Sequence, residues 1–431
     1  MPKGGNFNII YKFTYKTNLP AVNKRKIFND PIYGFVTIPD DLSFDIIEHW
    51  YFQRLRRIKQ LALTCYVYPS ALHTRFQHAI GAMFLMTQAI DVLRSKGQDI
   101  TPGEEQGALL AILLHDIGHG PFSHTLEHSI VPDLTHEELS ILFMQRLNNE
   151  YKGRLDTAIQ IFSDTYPKKF LHQLIAGQLD MDRLDYLKRD SFFSGVSEGV
   201  INSDRIIAML NVRDDQLVVE AKGIYSIEKF IVARRLMYWQ VYYHKTVLAA
   251  ELMLIKILQR AKYLAGKGMP LFCTPALHYF LYEQPGKKEF RDDPAVLDLF
   301  SELDDYDIFS AVKVWVSSED RILSILSKNL VDRHLNRVEI VNDPIRAEEV
   351  ERVTEQTAIL LNLSGDEAKC FISTGIIENN AYNPDKDKIN MLLKNDEVVE
   401  IAQASDQLNI SMLSGTVSKY YFSFPKEVRG R

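Results

Sequence analysis

The chain has 431 residues, of which 46% are hydrophobic, 25% charged and 11% aromatic. This balance is typical of a folded globular protein and excludes disordered, fibrous and collagen-like chains. The formal net charge is -6, from 50 Lys and Arg against 56 Asp and Glu. This charge argues against diffuse binding of polyanions, so nucleic acid is not an expected partner. An anionic ligand would need a local cationic pocket.

Cysteine use and hydropathy bear on the compartment of the chain. The cysteines Cys65, Cys273 and Cys370 are far apart, and none has the CxxC spacing of a structural zinc site or a redox motif. The N-terminus has no apolar signal region, and apolar runs such as residues 108–114 are far shorter than the roughly 18 residues of a membrane span. We therefore expect a cytoplasmic protein that does not contact a membrane.

Apolar periodicity and turn residues predict the elements in chain order. Residues 1–45 mix Lys, Asn, Pro and aromatics, with a short alternation at 34–38 that predicts an arm with a small hairpin. Residues 46–300 predict a helical bundle, because apolar residues recur at three- and four-residue spacing in segments 79–93, 104–115, 136–147 and 224–264. Thr101 and Thr135, each followed three residues later by Glu, predict capped starts of the second and third segments.

Residues 301–431 differ in composition and predict a smaller α+β region. Runs rich in β-forming residues occur at 311–316, 337–341, 370–374 and 419–424, and residues 379–388 predict a loop. The sequence therefore predicts a mainly α fold class in three stretches, 1–45, 46–300 and 301–431. We expect the third stretch to mediate contacts between subunits, because it contains β-runs and no recognisable catalytic residues.

Histidines are concentrated in one part of the predicted bundle, since seven of the twelve lie between positions 73 and 136. His115 and Asp116 follow the apolar run 108–114, where two adjacent polar groups are costly to bury unless a partner satisfies them. A divalent cation would satisfy both, and imidazole with carboxylate ligands suits Fe, Mn, Zn or Ni. An isolated histidine such as His49 or His278 is more often a satisfied core residue.

Four ordered motifs, at residues 54–60, 73–78, 115–124 and 180–190, have the sequences RLRRIKQ, HTRFQH, HDIGHGPFSH and DMDRLDYLKRD. His78, the adjacent His115 and Asp116, and a later Asp match the H...HD...D signature, so the chain resembles the HD-domain metal-dependent phosphohydrolases. The sequences that flank these residues resemble those of the branch that hydrolyses deoxynucleoside triphosphates to deoxynucleoside and inorganic triphosphate. The resemblance covers roughly residues 30–260 and implies an HD-domain helical bundle as the core.

The resemblance also implies a metal site and a catalytic group. One divalent cation, whether Mn, Fe, Zn, Ni or Mg, would be held by His78, His115, Asp116 and Asp182. The residues implied in proton transfer or attack at the α-phosphorus are His124, Glu127 and His136. Glu127 stands where similar enzymes usually have Asp. If this stretch is helical, its i,i+3 spacing from His124 lets the carboxylate orient the imidazole.

Substrate recognition is implied by the same resemblance. The residues expected to bind the phosphates are His119, Arg75, Arg183 and Arg234. Guanidinium groups suit this role because their contacts to phosphate are strong and directional. The residues expected to contact the sugar or base are Gln60, Tyr186, Asp190 and Tyr242. The Tyr186 ring would exclude a 2′-hydroxyl by crowding, while packing in the core is the alternative role of both tyrosines.

Regulation is a further implication of the resemblance. Some relatives are homo-oligomers activated by nucleotides at subunit contacts, and Gln53 and Arg56 match positions that bind a guanine base there. A solvated helix face is the alternative interpretation of Arg56 and its basic neighbours. We expect a homo-oligomer, either a dimer or a tetramer, and the need for a nucleotide activator stays open.

Two other functions also stay open. A nucleoside monophosphatase or a cyclic-nucleotide phosphodiesterase of the same superfamily would keep the metal site, although such relatives do not usually combine HTRFQH with DYLKRD. A nucleotide sensor or a single-strand nucleic-acid binder would not need the intact ligand set. A nucleic-acid site would also require a basic stripe with interleaved aromatics, for which only residues 54–59 qualify.

Overall fold

The computed structural model describes residues 26–384, 387–405 and 415–428. Helices dominate it, which confirms the mainly α fold class with a smaller α+β C-terminal region. In chain order the α-helices are α1 Asp41–Glu48, α2 Trp50–Gln53, α3 Arg75–Ser95, α4 Pro102–Leu114, α5 Glu127–Ile130, α6 His136–Glu150, α7 Asp156–Phe162, α8 Lys169–Ala176, α9 Met181–Ser194, α10 Ser203–Ala208, α11 Ile224–Met237, α12 Lys245–Gly266, α13 Pro275–Tyr282, α14 Lys287–Asp292, α15 Pro294–Glu302, α16 Asp305–Trp315, α17 Arg321–Val331, α18 Ala347–Leu361, α19 Gly365–Ala368 and α20 Ile401–Ala404.

The strands form three small sheets in the described residues. They are β1 Ile27–Asp30, β2 Gly34–Thr37, β3 Leu210–Arg213, β4 Gln216–Glu220, β5 Arg337–Val341, β6 Ser373–Asn379, β7 Asn390–Leu392, β8 Val398–Glu400 and β9 Val417–Phe424. β1 and β2 pair antiparallel, which confirms the predicted hairpin, while residues 1–25 of the predicted arm lie outside the described part. The other two sheets have the strand orders β3-β4-β7-β8 and β5-β9-β6.

The helices α3, α4 and α6 confirm the first three helical predictions, and each begins where its N-terminal sequence provides a cap. Thr74 and Gln77 form a capping box at α3, as do Thr101 with Glu104 at α4 and Thr135 with Glu138 at α6. These side chains satisfy backbone N–H groups that the first helical turn leaves unpaired. The chemistry-bearing residues follow directly, because His78 lies on the first turns of α3 and His115 at the end of α4.

The predicted helix at 224–264 is interrupted. α11 ends at Met237, a single π-helical turn runs over Tyr238–Tyr242, and α12 begins after His244, whose Nδ1 accepts from the backbone N–H of Thr246 at 3.2 Å. π-turns inside helical segments are rare and widen the helix locally. The run of bulky aromatics in this turn brings Tyr238 and Tyr242 to the same cavity wall.

The strand prediction at 311–316 is wrong, since these residues belong to the end of α16. The β-branched residues misled the pattern, but the buried positions Ile308, Ala311, Val312 and Trp315 recur at helical spacing. Asp304 caps this helix by accepting from the backbone N–H of Tyr306 at 2.9 Å. An acidic N-cap and helical burial therefore outweigh the local β-propensity.

The remaining tail strands follow the prediction more closely. β5 and β9 confirm the runs at 337–341 and 419–424, whereas the run at 370–374 is split between a 3-10 turn at Lys369–Phe371 and the start of β6. The parallel pairing of β7 with β4 joins the tail to the helical part of the chain. β3 and β4 were not expected from the sequence.

One continuous cluster of buried apolar residues extends from the β1–β2 hairpin through the bundle to α16, α17 and Met391 of the tail. The helices near the tail thus share the core of the bundle, and the division at residues 45 and 300 stays a prediction. Among the helices of the described residues, none combines the length and the apolar character that crossing a bilayer requires.

Candidate active site

Four side chains from three helices converge behind the end of α4. His78 comes from α3, His115 and Asp116 from the end of α4, and Asp182 from the first turn of α9. The Nε2 atoms of His78 and His115 are 3.3 Å apart, and the Oδ1 of Asp182 lies 3.1 Å from the first and 3.5 Å from the second. Asp116 places Oδ2 3.6 Å from His78 Nε2 and Oδ1 3.4 Å from His115 Nε2. Each Nε2 atom thus lies within 3.6 Å of an oxygen of both carboxylates.

This donor set fits a divalent cation. Ligand atoms about 2.0–2.2 Å from a shared cation lie about 3.0–3.5 Å from one another, which is the separation observed here. Burial would raise the pKa of Asp182, but hydrogen bonds from His115 and His78 hold it well below its usual range. A ligand set of two imidazoles and two ionised carboxylates suits Mn, Fe, Zn or Ni, whereas Mg and Ca are usually bound by oxygen ligands alone.

A buried ion network lies directly behind His78. The His78 Nδ1 atom is 2.7 Å from Asp185 Oδ2, and the Asp185 carboxylate accepts two hydrogen bonds from Arg189 at 2.9 Å. Arg189 also donates to Asp30 of β1 at 2.8 Å. Burial opposes ionisation of Asp185, yet Arg189 and His78 lower its pKa to about 2. The network therefore fixes the tautomer of His78 and directs its Nε2 to the cluster.

Arg75 and His119 flank the cluster on the cavity side. The Arg75 guanidinium donates to Asp116, and its Nε donates to the Ser123 hydroxyl at 2.8 Å, which in turn donates to the Lys59 carbonyl at 3.0 Å. His119 Nε2 lies 3.3 Å from Asp116 Oδ1. These contacts place one cation and one imidazole beside the four donors.

His124, Glu127 and His136 form a second group around one carboxylate. Glu127 Oε1 accepts from the backbone N–H of His136 at 2.8 Å and lies 2.7 Å from its Nδ1, while Glu127 Oε2 lies 3.1 Å from His124 Nδ1. Burial would raise the pKa of Glu127, but hydrogen bonds from His124 and His136 lower it well below its usual value. Both Nδ1 atoms are thus engaged by Glu127, and Nε2 of His136 lies 3.4 Å from Glu137 Oε1.

The local backbone differs from the expected helix but keeps the expected contact. Ser123–Thr125 form a 3-10 turn and α5 begins only at Glu127, with Phe122 and Ser123 at φ 55° and 52°. His119 stacks on His136 with ring centroids 3.9 Å apart, and His124 meets both rings edge-on. The second group therefore touches the metal-type cluster through His119.

Both groups open into one cavity of about 560 Å³, within the usual size range of small-molecule sites. Its polar wall is formed by Arg75, Asp116, His119, His124, His136 and Asp182. A second wall contains Gln60, Tyr186, Asp190, Tyr238, Tyr242 and Tyr243. A third, mostly apolar wall contains Leu61, Ala62, Leu248, Glu251, Leu252 and Ile255.

Several residues expected to contact the sugar do lie together. Tyr242 donates its hydroxyl to Asp190 at 2.8 Å, and the other Asp190 oxygen lies 2.8 Å from His73 Nε2. Tyr186 meets the Tyr242 ring edge-on at 6.4 Å, and Gln60 has a buried Oε1 without a partner in the described residues. Gln60, Tyr186, Asp190 and Tyr242 therefore share one wall.

Two expected phosphate ligands do not line this cavity. Arg234 is buried and donates to the Ala381 carbonyl at 3.0 Å and to Gln178 Oε1 at 3.4 Å. Arg183 donates to the same Gln178 oxygen at 3.4 Å. Asp180 caps α9 beside them by accepting from the backbone N–H of Arg183 at 2.7 Å, and burial raises its pKa to about 7. Both arginines are thus held beside Gln178, and the Arg183 side chain, which is 22% exposed, also pairs with Asp180 at 3.6 Å.

Gln53 and Arg56 lie away from the cavity. Arg56 donates to Gln53 Oε1 at 2.9 Å, and its guanidinium lies 3.5 Å from the centroid of the Phe76 ring. Arg56 is exposed, which is compatible both with nucleotide binding and with a solvated helix face, whereas Arg54 is buried. Arg54 is fully buried and donates to the carbonyls of Ile117 and His119, so it supports the loop that follows α4.

Two acidic residues near the site were not expected. Glu251 lines the cavity from α12, and burial raises its pKa to about 7. Asp305, at the start of α16, accepts from the backbone N–H groups of Phe122 at 2.7 Å and Lys59 at 3.0 Å. A single Glu among apolar residues at 247–255 was a signal available in the sequence; the pairing of residue 305 with residue 122 was not.

Comparisons with known proteins bear on the family of this chain. The family model "HD domain" matches residues 75–190 and the model "HD associated region" matches residues 201–265. The uncharacterized protein YwfO of Bacillus subtilis is 32% identical over 421 residues, 94% of each chain. The deoxynucleoside triphosphate triphosphohydrolase SAMHD1 homolog of Dictyostelium discoideum is 33% identical over 258 residues, 55% of this chain and 50% of its own. The crystal structure of a phosphohydrolase from Bacteroides thetaiotaomicron is 54% identical and superposes with a TM-score of 0.90 over 93% of this chain and 99% of its own.

Proposed function

The chain belongs to the HD-domain family of phosphohydrolases, and on that premise we propose that it hydrolyses deoxynucleoside triphosphates to deoxynucleoside and inorganic triphosphate. One observation supports the proposal above the others: a single cavity joins the four-donor cluster, the His124 group and the wall formed by Tyr186, Asp190 and Tyr242. A phosphomonoesterase would need the first two features, whereas the third suits a substrate that also carries a sugar.

A divalent cation held by His78, His115, Asp116 and Asp182 would supply polarisation of a phosphoryl oxygen and a lowered pKa of bound water. Arg75, beside that cluster, binds phosphate oxygens and compensates part of their charge. His119 adds a hydrogen-bonding imidazole on the same side. The three phosphates are therefore expected along the polar wall.

In this proposal His124 protonates the leaving group. Water adds to the α-phosphorus, the bond between that phosphorus and the 5′-oxygen breaks, and the His124 proton passes to the 5′-oxygen. Over a full cycle the proton lost by the water restores the one that His124 gives up. Glu127 holds Nδ1 of both His124 and His136, so it orients the acid.

Sugar selection follows from the second wall. Asp190 and Gln60 present acceptors and donors that can bind the 3′-hydroxyl, and in this proposal the Tyr186 ring crowds the position of a 2′-hydroxyl. A ribonucleotide is then excluded by crowding and not by a missing hydrogen bond. Activation by a second nucleotide near Gln53 and Arg56, and assembly into a dimer or tetramer, are part of the same proposal.

The test uses the purified chain with each of the four deoxynucleoside and four ribonucleoside triphosphates, singly and mixed, with Mn²⁺ or Mg²⁺. Nucleoside and inorganic triphosphate are measured by chromatography. Asp116→Ala should abolish release, and His124→Ala should lower turnover by about a hundredfold to ten-thousandfold while the cation stays bound. His278→Ala, at an exposed histidine on α13, is the matched control and should change nothing.

Each outcome has a distinct meaning. Activity only in mixtures would identify an activator. Release of phosphate from monophosphates, or opening of cyclic nucleotides, without triphosphate release would replace the proposal by another reaction of the same family. No reaction with any nucleotide, despite bound cation, would support a nucleotide sensor.

A further inference from the structure

The apolar wall of the cavity contains one charged residue that the proposed reaction does not use. Glu251 lies on the same face of α12 as Leu248, Leu252 and Ile255, because positions three or four apart share a helix face. Leu61 and Ala62 complete this wall. A half-buried carboxyl group therefore interrupts a surface that is otherwise apolar.

Glu251 is also uncommitted in a way that the other lining carboxylates are not. Asp116 and Asp182 belong to the donor cluster, and Asp190 is held by His73 and Tyr242. In the described residues Glu251 has a hydrogen bond from the Thr125 side chain and no ion pair. With one hydrogen bond and no ion pair, its carboxyl oxygens keep lone pairs that can accept from N–H donors of a ligand.

The position of Glu251 suggests which part of a nucleotide it faces. A carboxylate repels phosphate, so we expect the triphosphate beside Arg75 and not beside Glu251. A nucleobase suits the apolar wall, because its flat faces need apolar contacts and its edge needs hydrogen bonds. Glu251 is the charged group that this wall offers to that edge.

The chemistry of a carboxylate discriminates between bases. In the ionised form its two oxygens only accept, and they bind best to two adjacent N–H donors. Guanine presents such a pair in its N1–H and its 2-amino group. On the corresponding edges of adenine, cytosine and thymine, a donor is flanked by an acceptor, which would repel the second carboxylate oxygen.

We propose that Glu251 accepts hydrogen bonds from the base edge and makes the chain selective for deoxyguanosine nucleotides. This inference rests on the proposed function for the placement of the triphosphate, but its test can be separated from it. The Thr125 hydroxyl donates to the carboxylate and leaves other lone pairs to accept from a ligand.

The first measurement needs no substitution at Glu251. The Kd values of dGTP and of deoxyinosine triphosphate, which lacks only the 2-amino group, are measured by calorimetry in a His124→Ala background that blocks turnover. Loss of one of two paired hydrogen bonds should weaken binding by about tenfold. Equal affinities for the two nucleotides would overturn the inference.

The second measurement compares kcat/KM for the four deoxynucleoside triphosphates in the unmodified chain, Glu251→Gln and Glu251→Leu. Glu355→Gln, at an exposed carboxylate on α18, is the control. Glu251→Gln should reduce the preference for dGTP by about tenfold to a hundredfold and improve use of dATP, because an amide both donates and accepts. A uniform decrease with all four substrates would show that Glu251 only supports the Thr125 turn.

The two proposals fail in different ways. Hydrolysis of all four nucleotides with unchanged ratios in Glu251→Gln would keep the reaction and reject the base reader. Guanine-selective binding that Glu251→Gln abolishes, without hydrolysis of any nucleotide by the unmodified chain, would keep the base reader and reject the reaction.

Discussion

The substitution Asp185→Asn tests whether the buried ions behind His78 hold the metal-type cluster in place. Asp185 and Arg189 are both completely buried, and Asp185 is the partner of His78 Nδ1 at 2.7 Å. The asparagine amide would keep the shape of the side chain but lose the charge. It would leave Arg189 with Asp30 as its remaining carboxylate and would let the His78 ring adopt either tautomer.

The magnitude follows from the pKa of Asp185. A decrease from the usual value near 4 to about 2 corresponds to about 2.5 kcal/mol of interaction with the ionised form. Removing one member of a buried ion pair costs about 3–5 kcal/mol. Because Asp30 still compensates Arg189, we expect a loss of about 3 kcal/mol in the free energy of unfolding. Loss of a hydrogen bond behind a ligating histidine should weaken metal binding by about 10- to 100-fold.

The assay combines urea unfolding at neutral pH with calorimetric titration of Mn²⁺ into the metal-free protein. Asp180→Asn is the matched control, because Asp180 caps the same helix and is equally buried but does not contact His78. Asp185→Asn should weaken Mn²⁺ binding much more than the control does. Equal metal affinities in the two variants, with Asp185→Asn folded, would refute the idea that this network orients His78.

Three further predictions concern the surroundings of the site. Asp305→Asn turns an amide N–H toward a backbone N–H of Phe122 or Lys59 and so disturbs the turn at Phe122. We therefore expect kcat to fall while the Kd for Mn²⁺ is unchanged, and a fall in metal affinity of the same size would contradict this. Glu251→Gln should change how stability depends on pH, because burial raises the Glu251 pKa from about 4.5 to about 7. Ionising this buried group costs the unmodified chain up to about 3 kcal/mol, a cost that is absent below pH ~4 and complete above pH ~7. The variant should therefore gain stability relative to the unmodified chain as pH rises, and an equal difference in the free energy of urea unfolding at pH ~5 and ~8 would contradict this. Gly118→Ala should lower turnover and stability together, since a Cβ there overlaps the His136 carbonyl and the Ser140 backbone, which differential scanning calorimetry and the triphosphate assay would detect.

The sequence predicted those parts of the site that are encoded locally. The cap signals at Thr101 and Thr135 located α4 and α6, and hence His115 and His136, because capping acts within one turn. The candidate metal ligands were predicted through the resemblance, and their convergence is what the structure adds. The i,i+3 spacing of His124 and Glu127 led to a correct contact in a stretch that is mostly not α-helical.

The parts that the sequence did not predict depend on contacts between distant residues. Arg183 and Arg234 share Gln178, and this sharing depends on how α9, α11 and the segment near Ala381 pack. The π-turn at Tyr238–Tyr242 depends on how aromatics fill a cavity wall, which helical periodicity does not describe. The strand error at 311–316 shows the same limit, since propensity is outweighed by burial and by the Asp304 cap.

The contacts of the tail determine how its predicted role in assembly can be tested. Asp305 fixes the Phe122 turn, the Ala381 carbonyl accepts from Arg234, and Asp387 accepts from the backbone N–H of Gln178 at 3.0 Å. A truncation near residue 300 would therefore remove supports of the site together with any subunit contact, so its effects on activity and assembly could not be separated. Ile359→Glu avoids this, because Ile359 is 81% exposed on α18. A change of oligomeric state with unchanged kcat in that variant would indicate tail contacts between subunits, and an unchanged state would count against that surface of α18.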